Sequence, residues 1–597
     1  MRMKSAKGEV LATILVLTLL PAILFPAPLV AVDVKPDLTF TYKCLSWFLM
    51  DLKSAKIITE MVSKIGVKFE LQPLDSHILY PQIENKEFEV NSVSQGQGPS
   101  PRNPLELYHS SGDYPGGPND TGIRNATLDE YLEKAYTEMD MEKRKEYLGI
   151  VQYILAEQIP CIPIFVGDET HVIRSEWEGY VVMPGGIMDV NNIWTLLGLH
   201  DTTPGVEEQV FVMALPSYIG GFNMLDHRDW RTWYVVTLLA YDTLLKYDPE
   251  LNIIPWLAKE YSISPDGKTY TFKLRENAVW HDGEPLTAED VKFTLEYMKE
   301  QKVPYIYEDV KHITSVETPD PYTVIVHLDT SFWLLEYDFA MDIPILPKHI
   351  WEGKPWDWDN IVPGGNLIGG DLIGSGPFML KKYVEGEYLE FWRNDNWWYP
   401  QKPILDKYIF KVLRTQEARL MAMKKGEVDT ERYETPPSLI PEVVADPNLK
   451  LVPSTGIWMV NVEFNIREGP LSDVWVRRAI AHAIDKQEIV DRVMLGWGKV
   501  ANSVLPKCWY PQYYNPDIPI YEYNVTKANQ ILEEHGYIDV DGDGVRELPG
   551  AKPPVAPWYT SPIAQVGIIA AVAIVAVVVG AALYVRSVKK AMAAGEG

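Results

Sequence analysis

The chain has 597 residues, of which 82 are acidic and 55 basic, for a formal charge of −27. An apolar content of 46% with 11% aromatics excludes a disordered chain, and the acid excess would repel a phosphate backbone, which excludes a nucleic-acid partner. Three cysteines exclude a disulfide-built scaffold and allow at most one bridge.

Residues 1–31 read as a secretory signal. Arg2, Lys4 and Lys7 lead an apolar run from Val10 to Phe25, and small residues follow around Ala27 to Ala31. From Leu38, alternation through Phe40 and Tyr42 predicts a strand. A helix follows, with Ser54 as N-cap, Ile57, Ile58, Met61, Val62 and Ile65 on one face, and Gly66 closing it. Val67, Phe69 and Leu71 alternate as a second strand, which completes a βαβ unit and implies a helix-covered sheet. Residues 88–118, rich in Gly, Pro, Ser and Asn, predict a long ordered loop. Thr127 with Glu130 predicts a capping box before a helix carrying Leu132, Ala135 and Met139. A second helix is expected from Glu142 to Glu157, then a buried strand from Ile162 to Phe165.

Leu197 to Glu208 reads as a connector. Beyond it come a strand over Val210 to Ala214, an apolar helix over Trp233 to Leu245, the alternating strand Tyr270–Phe272–Leu274, and a helix capped by Thr287 that carries Val291, Leu295 and Met298. The alternation continues to about Leu548. Ile563 to Val585 is a run of about 23 uncharged residues, long enough at ~1.5 Å per residue to span a ~30 Å hydrocarbon core. Arg586, Lys589 and Lys590 follow it and place the C-terminus in the cytoplasm. The expectation is a large extracytoplasmic region from Val32 to Ser561, held at the cell membrane by one single-pass helix. Sequons at Asn119, Asn125 and Asn524 are compatible with that exterior.

The stretch 241–298, YDTLLKYDPELNIIPWLAKEYSISPDGKTYTFKLRENAVWHDGEPLTAEDVKFTLEYM, closely resembles the opening signature of the family 5 solute-binding proteins, the oligopeptide- and dipeptide-type receptors of ABC importers. Gly374-Ser375-Gly376-Pro377 with Arg393-Asn394-Asp395, and DVWVRRAIAHAID at 473–485, resemble later blocks of that family. EMVSKIGVKFEL at 60–71, the helices at 127–157 and EQIPCIPIF at 157–165 resemble its C-terminal section. The blocks stand in circularly permuted order: the family's final third occupies 36–200 and its initial two thirds 207–548. Permutation is tolerated where termini lie close at exposed loops. A rearranged reading frame, or pairing of the two segments between different chains, would give the same order.

The resemblance implies an α/β fold of two lobes hinged around a deep cleft, like other periplasmic-type binding proteins, plus the C-terminal transmembrane helix. One lobe would comprise 207–455 with 166–200, the other 456–548 with 36–165. Residues 201–206 would be the joint, with new ends near Val34 and Pro549, and 549–562 would form a short tether ahead of the membrane helix and the cytoplasmic tail at 586–597. Cys44 and Cys508 would both fall in the second lobe, where pairing is open.

The chain has no nucleophile elbow, HExxH, phosphate loop or CxxC. His281-Asp282-Gly283 sits inside the family signature, where the Asp-Gly pair reads as a turn. DVDGDGVRE at 539–547 places Asp539, Asp541 and Asp543 at the spacing of a calcium loop, with Glu547 as a substitute for the missing acid at position twelve; a plain Asp-Gly turn is the alternative, and no cofactor is otherwise implied. Trp356 with Trp358, Trp392 with Trp397 and Trp398, and Trp458 offer flat faces for a cleft, with ordinary core or lobe packing the alternative for any single one. In peptide-binding relatives the loop corresponding to 88–105 carries a Trp and then an Asp that holds the peptide's α-amino group. Here it offers Gln95, Gln97, Gly98 and Arg102, with no Trp and no acid after them until Glu106. A buried ammonium without a carboxylate is costly, so the loop suits a neutral oligosaccharide slightly better than a peptide.

The resulting expectation is a membrane-tethered receptor that captures an oligosaccharide or an oligopeptide by lobe closure and delivers it to ABC permease subunits, without catalysis. Candidate ligand-binding residues are Tyr218, Asn223, Tyr241, Trp458, Gln95, Gln97 and Arg102. A surface sensor that keeps the fold without transport, and an extracellular hydrolase, are the alternatives.

Overall fold

Alternation through Phe40, Tyr42 and Cys44 buries one face of the strand Thr39–Leu45, and Phe69 does the same for Lys68–Leu74. The two strands pair in parallel, with Phe40 opposite Phe69, and the helix Leu49–Ser63 connects them by burying Ile57, Ile58, Met61 and Val62. The expected βαβ unit is present. The computed structural model describes residues 37–551 and 562–594, apart from 47, 93, 97–100, 102–105, 184–191, 217–221, 226–236, 304–305, 342, 358–360, 363–365, 368–371 and 433–434. The signal expected over 1–31 lies outside the described residues.

The chain divides into two compact units, Thr39–Leu532 and a smaller one made of Met1–Leu38 with Glu533–Gly597. The large unit is built on a 12-stranded mixed sheet. Along its main path run Phe378–Val384, Tyr388–Arg393, Lys407–Val412, Val210–Leu215, Thr430–Glu431, Cys161–Arg174, Leu449–Phe464, Val90–Ser92, Thr39–Leu45 and Lys68–Leu74. A separate antiparallel sheet of four strands orders Ala258–Ile263, Thr269–Leu274, Thr323–Leu328 and Ile313–Asp320. The helix Ala288–Glu300 packs on it, started by a capping box between Thr287 and Asp290.

Several local expectations are corrected. Ser54 is no N-cap: the helix begins five residues earlier at Leu49, with extended Phe48 at its head and Asp51 in the first turn, where a carboxylate suits the dipole. Thr127 and Glu130 do not form the cap either. Asn125 takes that place, its Oδ1 accepting from the N–H groups of Thr127 and Leu128, while Glu130 pairs one turn on with Lys134. The 88–118 loop contains the short strands Val90–Ser92 and Gln95–Gly96 and a turn of 3-10 helix at Ser110–Gly112. The expected strand at Ile162–Phe165 is the start of a much longer one, Cys161–Arg174.

The helix expected over Trp233–Leu245 ends by Ala240. The backbone there is claimed by Gly376, whose N–H donates to the Ala240 carbonyl at 2.9 Å, and Leu245–Tyr247 pairs instead with Ile253–Pro255. Trp397 and Trp398 are core residues, not cleft faces. Their indole N–H groups and that of Trp256 converge on the buried carboxylate of Asp242, at 3.1, 2.9 and 2.8 Å. All three cysteines are free, so Cys44 and Cys508 do not pair.

In the small unit the N–H of Leu38 donates to the Arg546 carbonyl at 2.8 Å, and Asp37 bridges Glu547 in antiparallel fashion. The helix Pro562–Ala594 closes the described chain. Among the described residues, no helix is long and apolar enough to cross a membrane. The span expected over Ile563–Val585 therefore rests on its sequence; the side chains described in that helix begin only at Ala570.

Candidate functional site

Two long strands, Cys161–Arg174 and Leu449–Phe464, run antiparallel through the middle of the main sheet. Leu449 to Thr455 pair with Arg174 to Asp168. The register then slips, and Met459 to Glu463 pair with Val166 to Cys161. The slip falls at Gly456, Ile457 and Trp458. Glycine is required at 456 because a Cβ would lie 2.4 Å from the Gly167 carbonyl oxygen. On one side of the slip the neighbouring strand is Thr430–Glu431, leading to Val210–Leu215. On the other it is Val90–Ser92, leading to Thr39–Leu45. The two long strands are thus the paired connection between two halves of the sheet.

Side chains gather at this crossing. Trp458 pairs with Gly96 across an antiparallel bridge, and its ring fills the space a Cβ on Gly96 would need, 3.0 Å away. Phe48 meets the Trp458 ring edge-on at 6.0 Å between centroids. The Trp509 indole donates to the Gly456 carbonyl at 2.7 Å. Lys499, on the short strand Gly498–Val500, donates to Thr455 Oγ1 at 2.7 Å and lies 3.4 Å from Asp168 Oδ1, so one ammonium ties both long strands. A hollow of about 410 Å³ opens beside it, lined among others by Thr455, Lys499, Asn502 and Cys508.

Asp51 brings a carboxylate to Ser94, just ahead of Gln95 in the loop. Its Oδ2 accepts from the N–H of Ser94 at 3.1 Å and its Oδ1 from the Ser94 hydroxyl. Burial pushes its carboxyl up to about 7, against the pull of those Ser94 donors. The residue is fully buried, so it fixes the strand Gln95–Gly96 rather than offering a face to solvent. A scan along the loop misses it, because the helix Leu49–Ser63 delivers it from forty residues upstream.

Of the residues expected at the site, Trp458 lies at the crossing, and Gln95 contributes backbone there opposite Met459. Asn223 is elsewhere: its Nδ2 donates to the Trp356 carbonyl at 2.7 Å and its Oδ1 accepts from the N–H of Leu225 at 2.9 Å. Tyr241 is corrected to a core residue, buried beside the Asp242 cluster. Tyr218, Gln97, Arg102 and Trp358 lie outside the described residues. A second hollow, of about 510 Å³ between Glu142–Tyr153 and Tyr513–Pro516, includes none of the expected residues.

His281 is likewise structural. Its ring nitrogens meet the Gly374 N–H at 3.1 Å and the Gly376 carbonyl at 3.1 Å, and burial lowers its pKa. In the Asp-rich segment the carboxylates of Asp539, Asp541 and Asp543 are exposed and lie within 4.8 Å of one another. Glu547 does not join them: it is buried and its Oε2 accepts from the Val540 N–H at 2.8 Å. Asp539 itself accepts from the N–H groups of Gly542 and Gly544 at 2.6 and 3.0 Å, while Asp541 and Asp543 each accept from the N–H two residues on, at 3.2 and 2.8 Å, the pattern of Asx turns.

Residues 252–573 match the middle region of the bacterial extracellular solute-binding proteins, family 5. The chain belongs to that family. It is 31% identical over 386 residues to a putative ABC transporter peptide-binding protein of Brucella ovis, covering 62% of this chain and 64% of the relative. It is also 31% identical over 348 residues to the oligopeptide-binding protein AppA of Bacillus subtilis, covering 55% and 60%. The solved structure of NikZ from Campylobacter jejuni in complex with Ni(L-His) is 27% identical, with a TM-score of 0.47, over 57% of this chain and 66% of that one. The chain thus spans less than two thirds of the length of these relatives. The family is one of extracytoplasmic binding proteins, not enzymes, which answers the hydrolase alternative.

Proposed function

We propose that the chain is a membrane-tethered receptor that captures a small solute between two lobes and delivers it to an ABC permease. The observation that carries this reading is the register slip at Gly456, shared by two strands that connect the halves of one sheet. Two strands slipping beside Gly167 and Gly456 make a hinge, and hinge closure sequesters a ligand. The lobes are 207–455 with 166–200, and 456–548 with 36–165. The order is a circular permutation joined at 201–206. Its support is local: Thr202 to Val206 form an exposed turn in which Gly205 has open space around it, and Asp37 meets Glu547 where the other ends would lie.

The ligand is a peptide by the names of the relatives. A neutral oligosaccharide is favoured by a separate observation, the full burial of Asp51, whose two oxygens are turned to Ser94, so that no ligand ammonium reaches that carboxylate from solvent. A thermal-shift screen of the full chain in detergent, with di- to pentapeptides and with cello- and manno-oligosaccharides, separates them. Ligand at ~100 Kd adds about 2.7 kcal/mol to the stability of a receptor. A peptide-only shift retires the sugar reading, a sugar-only shift retires the peptide, and a cooperative melt with no shift transfers the protein to the sensor class.

The tether rests on the uncharged run Ile563–Val585 and the three cations behind it. Truncation after Ser561 is expected to move the protein from the membrane pellet to the soluble fraction on cell fractionation. Retention in the pellet would refute the anchor.

A further inference from the structure

The three sequons differ sharply in what their asparagine amides are doing. Asn119 is fully buried; its Nδ2 donates to the carbonyls of His109 and Ile123 at 3.2 and 2.9 Å, and its Oδ1 accepts from the Gly122 N–H at 2.9 Å. Thr121, the hydroxyl residue of that sequon, is buried as well and donates to the same Oδ1. A glycan on Asn119 would remove an N–H from a closed hydrogen-bond set and force a sugar into the core. Asn119 is therefore a sequon in sequence alone.

Asn524 is the opposite case. It is exposed, as is Thr526, at the head of the helix Val525–Glu534. Its Oδ1 accepts from the Lys527 N–H at 2.9 Å, and its backbone N–H donates to the His482 carbonyl at 2.7 Å. The side chain of this exposed residue is an N-cap through its oxygen, so the cap does not use Nδ2. This division matters chemically. Glycosyl transfer bonds Nδ2 to the anomeric carbon and leaves the amide carbonyl in place, so the cap survives the modification. Asn125 also caps through Oδ1 but is half-buried.

We propose that Asn524 carries an N-linked glycan and that Asn119 does not. The proposal rests on the extracytoplasmic placement given above. The co-substrate is an oligosaccharide carried on a polyprenyl phosphate or diphosphate. The Asn524 Nδ2–C1 bond forms as the C1–O bond to the lipid phosphate breaks, the phosphate leaves with the electron pair, and the amide proton passes to a base of the transferase. Exposure of Asn524 and of Thr526 lets the sugar extend into water without displacing a packed group.

The test uses full-length protein purified from its own cells, with glycopeptide mass spectrometry on the segments containing Asn119, Asn125 and Asn524. The expected result is a sugar-mass ladder on the Asn524 peptide and an unmodified Asn119 peptide. Asn524→Asp keeps the cap, and Thr526→Ala leaves Asn524 itself intact; each is expected to abolish the ladder while the thermal melt stays within a few degrees. In parallel, intact cells are treated with a membrane-impermeant amine reagent and Lys527 is scored. A labelled Lys527 with a bare Asn524 overturns the glycan proposal alone. An unlabelled Lys527 with a bare Asn524 overturns the extracytoplasmic reading and the proposal with it. A glycan on Asn119 refutes the discrimination between the sequons.

Discussion

Asp242→Ala is expected to lower the unfolding free energy by about 3–5 kcal/mol, the cost of breaking a buried charged network by removing one member. The carboxylate is fully enclosed and receives the N–H groups of Trp256, Trp397 and Trp398. An indole N–H can only donate, so three buried donors would be left without an acceptor, each costing about 1–3 kcal/mol before relaxation. Lys246, buried nearby with its ammonium 5.6 Å from the Trp256 ring centre, would lose its counter-charge as well. Asp242→Asn keeps the shape but turns one acceptor into a donor facing an indole, so an intermediate loss is expected. Asp395→Ala is the control: Asp395 is exposed where it pairs with Arg393, and the loss there should stay below about 1 kcal/mol. Urea unfolding followed by tryptophan fluorescence measures all three. A loss at Asp242→Ala no larger than the control would mean the indoles find other acceptors.

The second large effect is one of pH. Glu463 is buried in the main sheet opposite Asn91, whose Nδ2 donates to it at 3.2 Å. Burial, reinforced by the nearby Asp120 charge, pushes its carboxyl up to about 8, and Asn91 only partly opposes this. The folded form holds the Glu463 proton more tightly than the unfolded chain does. Stability is therefore fully present below the ordinary glutamate range and is lost as pH rises through about 8. Glu463→Gln removes that loss. The variant is expected to match the parent at pH ~5 and to exceed it by about 1–3 kcal/mol at pH ~8.5. Asp51 and Asp429, raised to about 7 and about 6 by burial, contribute slopes of the same sign that remain in the variant. Lys486 works the other way. Burial lowers it to about 7, so its contribution is lost as pH falls through that value. Denaturation at pH ~5, ~7 and ~8.5 decides the matter. An unchanged slope, or a variant weaker than the parent at the highest pH, would refute the assignment.

Elements governed by near neighbours were legible in the sequence. Tyr270–Phe272–Leu274 alternates because one face of a strand is buried, and Thr287 caps because its partner Asp290 is three residues away. The misreadings have one physical cause: a competitor distant in sequence or slightly better in chemistry. Asn125 displaced Thr127 as a cap because Oδ1 of asparagine reaches two N–H groups at once. Trp397 and Trp398 read as ligand faces or as core until Asp242 is known to receive their N–H groups, and that residue stands 155 positions from Trp397. The site was half visible for the same reason. Trp458 was identified from its ring, whereas Phe48, Asp51 and Trp509 reach the crossing only through the fold.

The crossing of the two long strands also constrains how the protein is made. Thr170 and Thr435, joined by a hydrogen bond beside the crossing, stand 265 positions apart, so the middle of the sheet cannot close until most of the chain exists. Contacts this distant in sequence fold slowly and leave strand edges bare in the meantime. A chain still emerging from the ribosome would present Cys161–Arg174 as an unpaired apolar edge, in want of a chaperone.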